Sequence, residues 1–287
     1  MIPAAFEYHR ASSVSEALQL LQRLSDAKLL AGGHSLLPMM KLRLTSPAHL
    51  IDLGRIEAMR YIRQDGQTLA VGALTTHWEI ESSQLAHSTA PALAEAASRI
   101  GDVQVRNVGT IGGSMAHADP AADYPAAMLA LDGQIVAESP RGRRTIPSVE
   151  FFTGIFTTAL APDEVLVEIR VPATSGRTGQ AYLKFPHPAS GFAVVGVAAV
   201  ITRDGGGRCT RARIGITGVG PAAYRPTAVE DQVTGSTLDE KAVAAAAAHA
   251  ADGVDVNEDL FASAEYRAHL ARVFTKRAVL AAAQRGG

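Results

Sequence analysis

Two glycine-rich segments hold the residues best suited to chemistry. The first, Ala31-Gly32-Gly33-His34-Ser35-Leu36, follows the short apolar run Lys28-Leu29-Leu30 and precedes a helical stretch. Paired glycines remove Cβ atoms, so backbone N–H groups can approach a ligand closely, and a helix start adds partial positive charge. That chemistry suits a pyrophosphate. Taken alone, a tight strand-to-helix turn is the plainer reading, and the segment is not the GxGxxG fingerprint of the dinucleotide-binding Rossmann fold. The second segment is Gly109-Thr110-Ile111-Gly112-Gly113-Ser114, followed by Ala118-Asp119-Pro120-Ala121-Ala122-Asp123. It adds hydroxyl donors, and carboxylates able to accept hydrogen bonds from ribityl or ribose hydroxyls. Two such turns, both bounded by apolar segments, point to an extended phosphate-bearing ligand.

Other chemistries find little support. Cys209 is the only cysteine, so an internal disulfide is impossible, and one thiol cannot ligate an iron–sulfur cluster or a structural zinc. Its flanks alternate like a strand and suggest a buried, inert thiol. His34, His117 and His187 are far apart and lack a ligand spacing, so no metal site and no catalytic triad are expected. His117, in the second segment, could face a ligand bound there, and a surface position is the plainer reading. The chain has 287 residues, 47% hydrophobic and 19% charged, with a net charge of -1. That balance suits a globular protein with no affinity for nucleic acid or an anionic membrane surface. Trp78 is the only tryptophan, which disfavours a base-stacking platform. The start, Met1 to Glu7, lacks the pattern of a signal peptide, and no apolar run reaches membrane-spanning length. A cytoplasmic location is expected.

The elements that position the two segments follow from periodicity. The first stretch reads strand–helix–strand. Ser13 and Glu16 form a capping-box pattern, and Val14, Ala17, Leu18, Leu21 and Leu24 share a helical face. Lys28 to Ala31 is a short strand, 36–43 a helix, and His49 to Leu53 a strand. Tyr61–Arg63 and Leu69–Gly72 flank the hairpin signal Asp65-Gly66. A helix is predicted over 90–99 with Ile100 at its end, and a long functional loop over 101–125. Strands follow at 134–137 and 164–171, then a linker over 173–180. Beyond it come strands at 192–202 and 211–217, joined through Gly205-Gly206-Gly207, and helices over 241–251 and 264–283.

At this point a resemblance becomes specific. The run Ala31-Gly32-Gly33-His34-Ser35-Leu36-Leu37-Pro38, the run Gly109 to Ser114 and the Asp119-Pro120-Ala121-Ala122-Asp123 segment together resemble the medium, FAD-binding subunit of molybdenum hydroxylases, the carbon monoxide dehydrogenase type foremost. The likeness extends to Tyr266-Arg267 and Lys276-Arg277-Ala278-Val279. It implies an α+β fold: a two-part FAD-binding domain of the vanillyl-alcohol oxidase (PCMH) type over 1–175, with subdomains of about 1–57 and 58–175, then a smaller α+β C-terminal domain over 176–287.

The resemblance also implies residue roles. Lys28, Leu29, Leu30, Ala31, Gly32, Gly33, His34, Ser35 and Leu36 would wrap the FAD diphosphate. Ile100 matches an apolar position beside the adenine or flavin, and Gly109, Thr110, Ile111, Gly112, Gly113 and Ser114 a second phosphate-binding turn. Ala118 and Asp123 follow it, Asp123 as a carboxylate contacting the cofactor. Leu166, Lys184 and Phe192 match later contacts; ordinary strand core is an equal alternative for Leu166, and a solvated edge-strand charge the lesser alternative for Lys184. Ser114 replaces an Asn of many relatives, Phe192 replaces a Tyr near the flavin ring, and Pro186 to Gly191 departs from a basic run. By resemblance, [2Fe–2S] clusters sit in a small partner subunit and molybdopterin in a large one, within a dimer of heterotrimers. A self-sufficient FAD-dependent oxidase of the same fold and a cofactor-less scaffold are the rival readings.

Overall fold

Local capping starts the first layer. A computed structural model describes residues 2–174 and 176–286; Met1, Gly287 and Ser175, which falls in the expected linker, lie outside the described residues. Ser13 accepts a hydrogen bond from Glu16 N at 3.1 Å and opens α1 (Val14–Arg23). The Glu16 carboxylate closes on the Ser12 amide at 2.8 Å rather than on that of Ser13, so the box is displaced by one residue. α1 buries Ala17, Leu18 and Leu20 against a three-stranded parallel sheet of order β1 (Glu7–Arg10), β3 (His49–Asp52), β2 (Ala27–Leu30). β2 therefore has one free edge, and the chain leaves it directly into the first glycine turn and α2 (Leu36–Lys41).

The second sheet is antiparallel. It runs β4 (Ile62–Asp65), β5 (Thr68–Gly72), β10 (Val165–Pro172), β6 (Gln134–Ser139), β7 (Gly142–Pro147). The β4–β5 hairpin turns at Gly66, whose φ of 58° suits a residue without a side chain. Between β5 and β6 the chain forms α3 (His77–Ser82), α4 (Gln84–Thr89), α5 (Pro91–Ser98), α6 (Val103–Val108), α7 (Ile111–His117) and α8 (Asp123–Ala130). Most of the expected loop over 101–125 is thus helical. Asp102 caps α6 by accepting from Val105 N at 2.8 Å, and Thr110 caps α7 by accepting from Gly113 N at 3.1 Å. Helices of six or seven residues are too short to display a 3.6-residue period, and glycines inside α7 mimic a loop. After β7 come α9 (Ser148–Phe151) and a ribbon of β8 (Phe152–Gly154) and β9 (Thr157–Thr158).

The third sheet, β11 (Arg177–Pro186), β12 (Ala193–Arg203) and β13 (Cys209–Thr217), is an antiparallel meander. β11 begins inside the expected linker. Past α10 (Thr227–Val233) and α11 (Glu240–Ala247), the long α12 (Ala264–Arg285) packs across the sheet. On the other side α8 lies against β12 and β13, and every residue of α8 is buried. Small residues permit this approach: a Cβ on Gly215 would stand 2.0 Å from Ala126 O. α8 is therefore a buried joist between α5 and the third sheet, and its first residue is Asp123.

Candidate cofactor-binding site

A cavity of about 590 Å³ opens where the three sheets meet. That size suits a small-molecule or cofactor site. β2 and the first turn form one wall, the start of α7 a second, and Val165 and Leu166 of β10 a third, while Ser190, Gly191 and Phe192 reach over from the β11–β12 connection. Of the residues singled out in the sequence, Lys28 to Leu36, Ile100, Gly109, Thr110, Gly112, Gly113, Ser114, Asp123, Leu166 and Phe192 line it. Ile111, Ala118 and Lys184 stand behind the wall: Ile111 is core, Ala118 is the left-handed C-cap of α7, and the Lys184 side chain is 2% exposed.

The two glycine turns do different work. In the first, Gly33 has φ 73°, and among the described residues the amide N–H groups of Gly32, Gly33, His34 and Ser35 have no protein acceptor. Ser35 caps α2 without using its side chain. Consecutive unpaired amides form a cradle for an anion, and a diphosphate fits it. In the second turn every amide but that of Thr110 is spent within the protein. Ile111 N donates to Thr75 O at 3.0 Å, Gly112 N to Ala73 O at 2.9 Å, and Ser114 N to Thr110 O at 3.0 Å. Backbone donors from both turns were expected; the first turn has a run of four free amides, and the second has that of Thr110.

Glycine in the second turn has another cause. A Cβ on Gly112 would stand 2.5 Å from Ala73 Cβ, and one on Gly109 2.7 Å from His77 Nε2. A Cβ on Gly32 would reach within 2.4 Å of Val108 O and 2.7 Å of Gly109 Cα. The turns therefore pack back to back, which brings the Thr110 and Ser114 hydroxyls beside the amide cradle. Gly113 is the exception. Its Cβ would meet Thr110 Oγ1 at 2.9 Å and otherwise only Ala31 Cβ at 3.7 Å, so this glycine keeps space open at the cavity wall.

Asp123 is held by the protein. Its Oδ1 accepts from the Tyr182 hydroxyl at 2.5 Å, and its Oδ2 from Lys184 Nζ at 2.8 Å, which also donates to Arg99 O at 2.8 Å. Lys184 is thus no solvated edge charge, because α5 packs beside β11 and brings Arg99 over it. Burial pushes the Asp123 carboxyl up to about 6, against the pull of Lys184 and Tyr182. Each carboxylate oxygen has one protein partner and a further acceptor site, and Asp123 lines the cavity.

Sequence reasoning missed several wall residues. His77, buried at the start of α3, contacts the Tyr124 hydroxyl through Nδ1 at 3.1 Å. Burial, aided by His34 and Arg106, holds its pKa near 3, so the ring is neutral. The capping box of Thr76 and Glu79 could have placed this helix, but nothing in the spacing marks the histidine. Phe156 also lines the cavity, and its ring packs on that of His117 with centroids 5.0 Å apart. His117 is accordingly a half-buried wall residue rather than a surface one, and burial lowers its pKa. Glu164 completes the set, gripped by Arg144 at 2.6 and 2.8 Å.

Comparison with known proteins agrees with this geometry. Residues 4–174 match the FAD binding domain in molybdopterin dehydrogenase, and residues 180–282 the CO dehydrogenase flavoprotein C-terminal domain. The chain is 47% identical to the carbon monoxide dehydrogenase medium chain of Hydrogenophaga pseudoflava over 98% of both chains. It is 40% identical to the 6-hydroxypseudooxynicotine dehydrogenase complex subunit alpha of Paenarthrobacter nicotinovorans, over 99% of this chain and 97% of that one. The solved Hydrogenophaga pseudoflava carbon monoxide dehydrogenase lacking its Mo-pyranopterin moiety superimposes with a TM-score of 0.96 at 48% identity, covering 99% of both chains. The chain belongs to the family of FAD-binding medium subunits of molybdenum hydroxylases.

Proposed function

We propose that this chain holds FAD in its central cavity and is the electron-transfer subunit of a heteromeric molybdenum hydroxylase. One observation carries the reading: four consecutive unpaired amides, Gly32 to Ser35, stand at a cavity in a chain of this family. Those amides bind the diphosphate, and the Ser35, Thr110 and Ser114 hydroxyls are placed to donate to phosphate or ribityl oxygens. Ile100, Leu166 and Phe192 offer apolar surface to the rings. When bound, FAD converts one-electron arrivals into transfer to an external acceptor.

Electrons reach the site from two [2Fe–2S] clusters in a small partner subunit, which draws them from molybdopterin in a large subunit, within a dimer of heterotrimers in the cytoplasm. With Cys209 alone, this chain has no means of holding the clusters itself. The cavity wall also offers little for direct substrate oxidation. Glu164 is gripped by Arg144, Asp123 by Lys184 and Tyr182, and Asp119 accepts from Ala121 N at 2.8 Å. The substrate is then chosen in the large subunit, in keeping with relatives named for carbon monoxide and for 6-hydroxypseudooxynicotine.

Reconstitution tests this. The purified chain is assayed with carbon monoxide, aldehydes and N-heterocycles plus an artificial acceptor, first alone and then with small and large subunits added. Turnover that appears only in the complex supports the subunit reading. Full turnover by the isolated chain overturns it in favour of an independent oxidase.

A further inference from the structure

On the first sheet, away from the amide cradle, three side chains distant in sequence converge. β1 and β3 pair in parallel with Glu7 opposite His49, and His9 lies two residues along β1 on the same face. His9 Nε2 and His49 Nδ1 are 3.1 Å apart. The Glu7 Oε2 atom is 3.3 Å from His49 Nδ1 and 3.7 Å from His9 Nε2. Among the described residues this is the one group in which three such ligand atoms converge. The two histidine side chains are 24% and 19% exposed, so the rings are held while the site stays open to solvent.

With the imidazole protons on the outer ring nitrogens, His9 Nε2, His49 Nδ1 and the Glu7 carboxylate each turn a lone pair toward the centre of the triangle. A cation placed over the triangle is attracted to all three. A tetrahedral zinc with ligands about 2.0–2.1 Å away separates its ligand atoms by about 3.3–3.4 Å, and the observed edges bracket that spacing. Two imidazole nitrogens and one carboxylate oxygen also form a ligand set that zinc accepts, with a fourth position left for water.

We infer that Glu7, His9 and His49 form a zinc-binding site that clips β1 onto β3. β1 is an edge strand of four residues with no second neighbour in its sheet, so a metal bridge to the central strand would restrain its fraying. Because β3 also pairs with β2, which leads into the amide cradle, the clip braces the sheet from which the cofactor wall is built. The site does not depend on which ligand the cavity holds.

The test uses the untagged full-length chain as purified. It is stripped with a chelator, dialysed against Zn²⁺ and then against metal-free buffer, and its metal content is measured by atomic emission. Co²⁺ substitution, read by the visible bands of tetrahedral cobalt beyond the flavin absorption, reports the geometry. One Zn²⁺ per chain is expected, falling to none in His9→Ala and in His49→Ala, with weaker retention in Glu7→Gln. His249→Ala, which removes an exposed histidine paired with Asp252, should keep the full stoichiometry. Zinc loading should also raise the thermal unfolding midpoint of the wild type and not of His49→Ala. Absence of Zn²⁺ from the wild-type chain overturns the proposal. So does retention of zinc by both histidine variants, or wild-type affinity in Glu7→Gln.

Discussion

Lys184 Nζ donates to Asp123 Oδ2 at 2.8 Å across the junction of α8 and β11, with the side chains 2% and 4% exposed. The pair ties the third sheet to the helix that closes the cavity, and Tyr182 holds the other carboxylate oxygen. Removing one partner strands a buried charge. Lys184→Met should therefore lower the unfolding free energy by about 3–5 kcal/mol, and Asp123→Asn/Lys184→Met should recover most of it. Chemical denaturation of the single and double variants measures the difference. A single variant as stable as the wild type would show that the pair does not bind the sheets together.

Two buried groups at the cavity wall should give opposite pH trends. The Asp123 carboxyl is raised to about 6 by burial, so the folded state holds its proton more tightly than the unfolded chain. Its contribution to stability is complete below about pH 4 and declines as pH rises through about 6. His77, lowered to about 3 by burial, behaves in the other sense. Its contribution is present above about 6.5 and is lost as pH falls toward 3. Unfolding curves between pH 4 and 7 for wild type, Asp123→Asn and His77→Gln separate the two. The wild type's advantage over Asp123→Asn should shrink with rising pH, and its advantage over His77→Gln should grow. Parallel curves would remove both assignments.

The glycines should divide into two classes. At Gly32 a methyl group meets backbone, 2.4 Å from Val108 O, so Gly32→Ala must push the turns apart and should cost about 1–3 kcal/mol of stability. At Gly113 the nearest atom is the Thr110 hydroxyl and the space beyond is cavity. Gly113→Val should fold nearly as well as the wild type yet lose flavin. Equal thermal midpoints for Gly32→Ala and wild type would contradict the back-to-back packing.

What is legible in the sequence depends on the range of each interaction. Local signals read well: the Ser13 cap, the Asp65-Gly66 hairpin and the helix ending near Ile100 all lie where short-range patterning put them. The first glycine turn was legible because a strand, two glycines and a helix follow one another directly. The roles of Asp123 and Lys184 were less legible, since the two residues are 61 apart in sequence and meet only when α8 packs against the third sheet. The same applies to His9 and His49, forty residues apart and joined by strand register alone. Glycine at 112 lines the cavity and also packs against Ala73, a second demand that composition does not contain.

The most direct test of the central claim is the flavin absorbance of the purified chain per mole of protein, for wild type and Gly33→Val. Gly33 has φ 73°, and a side chain there would also press on Leu37 at 2.9 Å, so valine should break the run of free amides while the sheets remain folded by circular dichroism. The expected result is about one FAD per wild-type chain, as one amide cradle binds one diphosphate, and a folded, flavin-free Gly33→Val protein. Full flavin occupancy in Gly33→Val, or a wild-type chain that neither carries FAD nor takes it up, would contradict it.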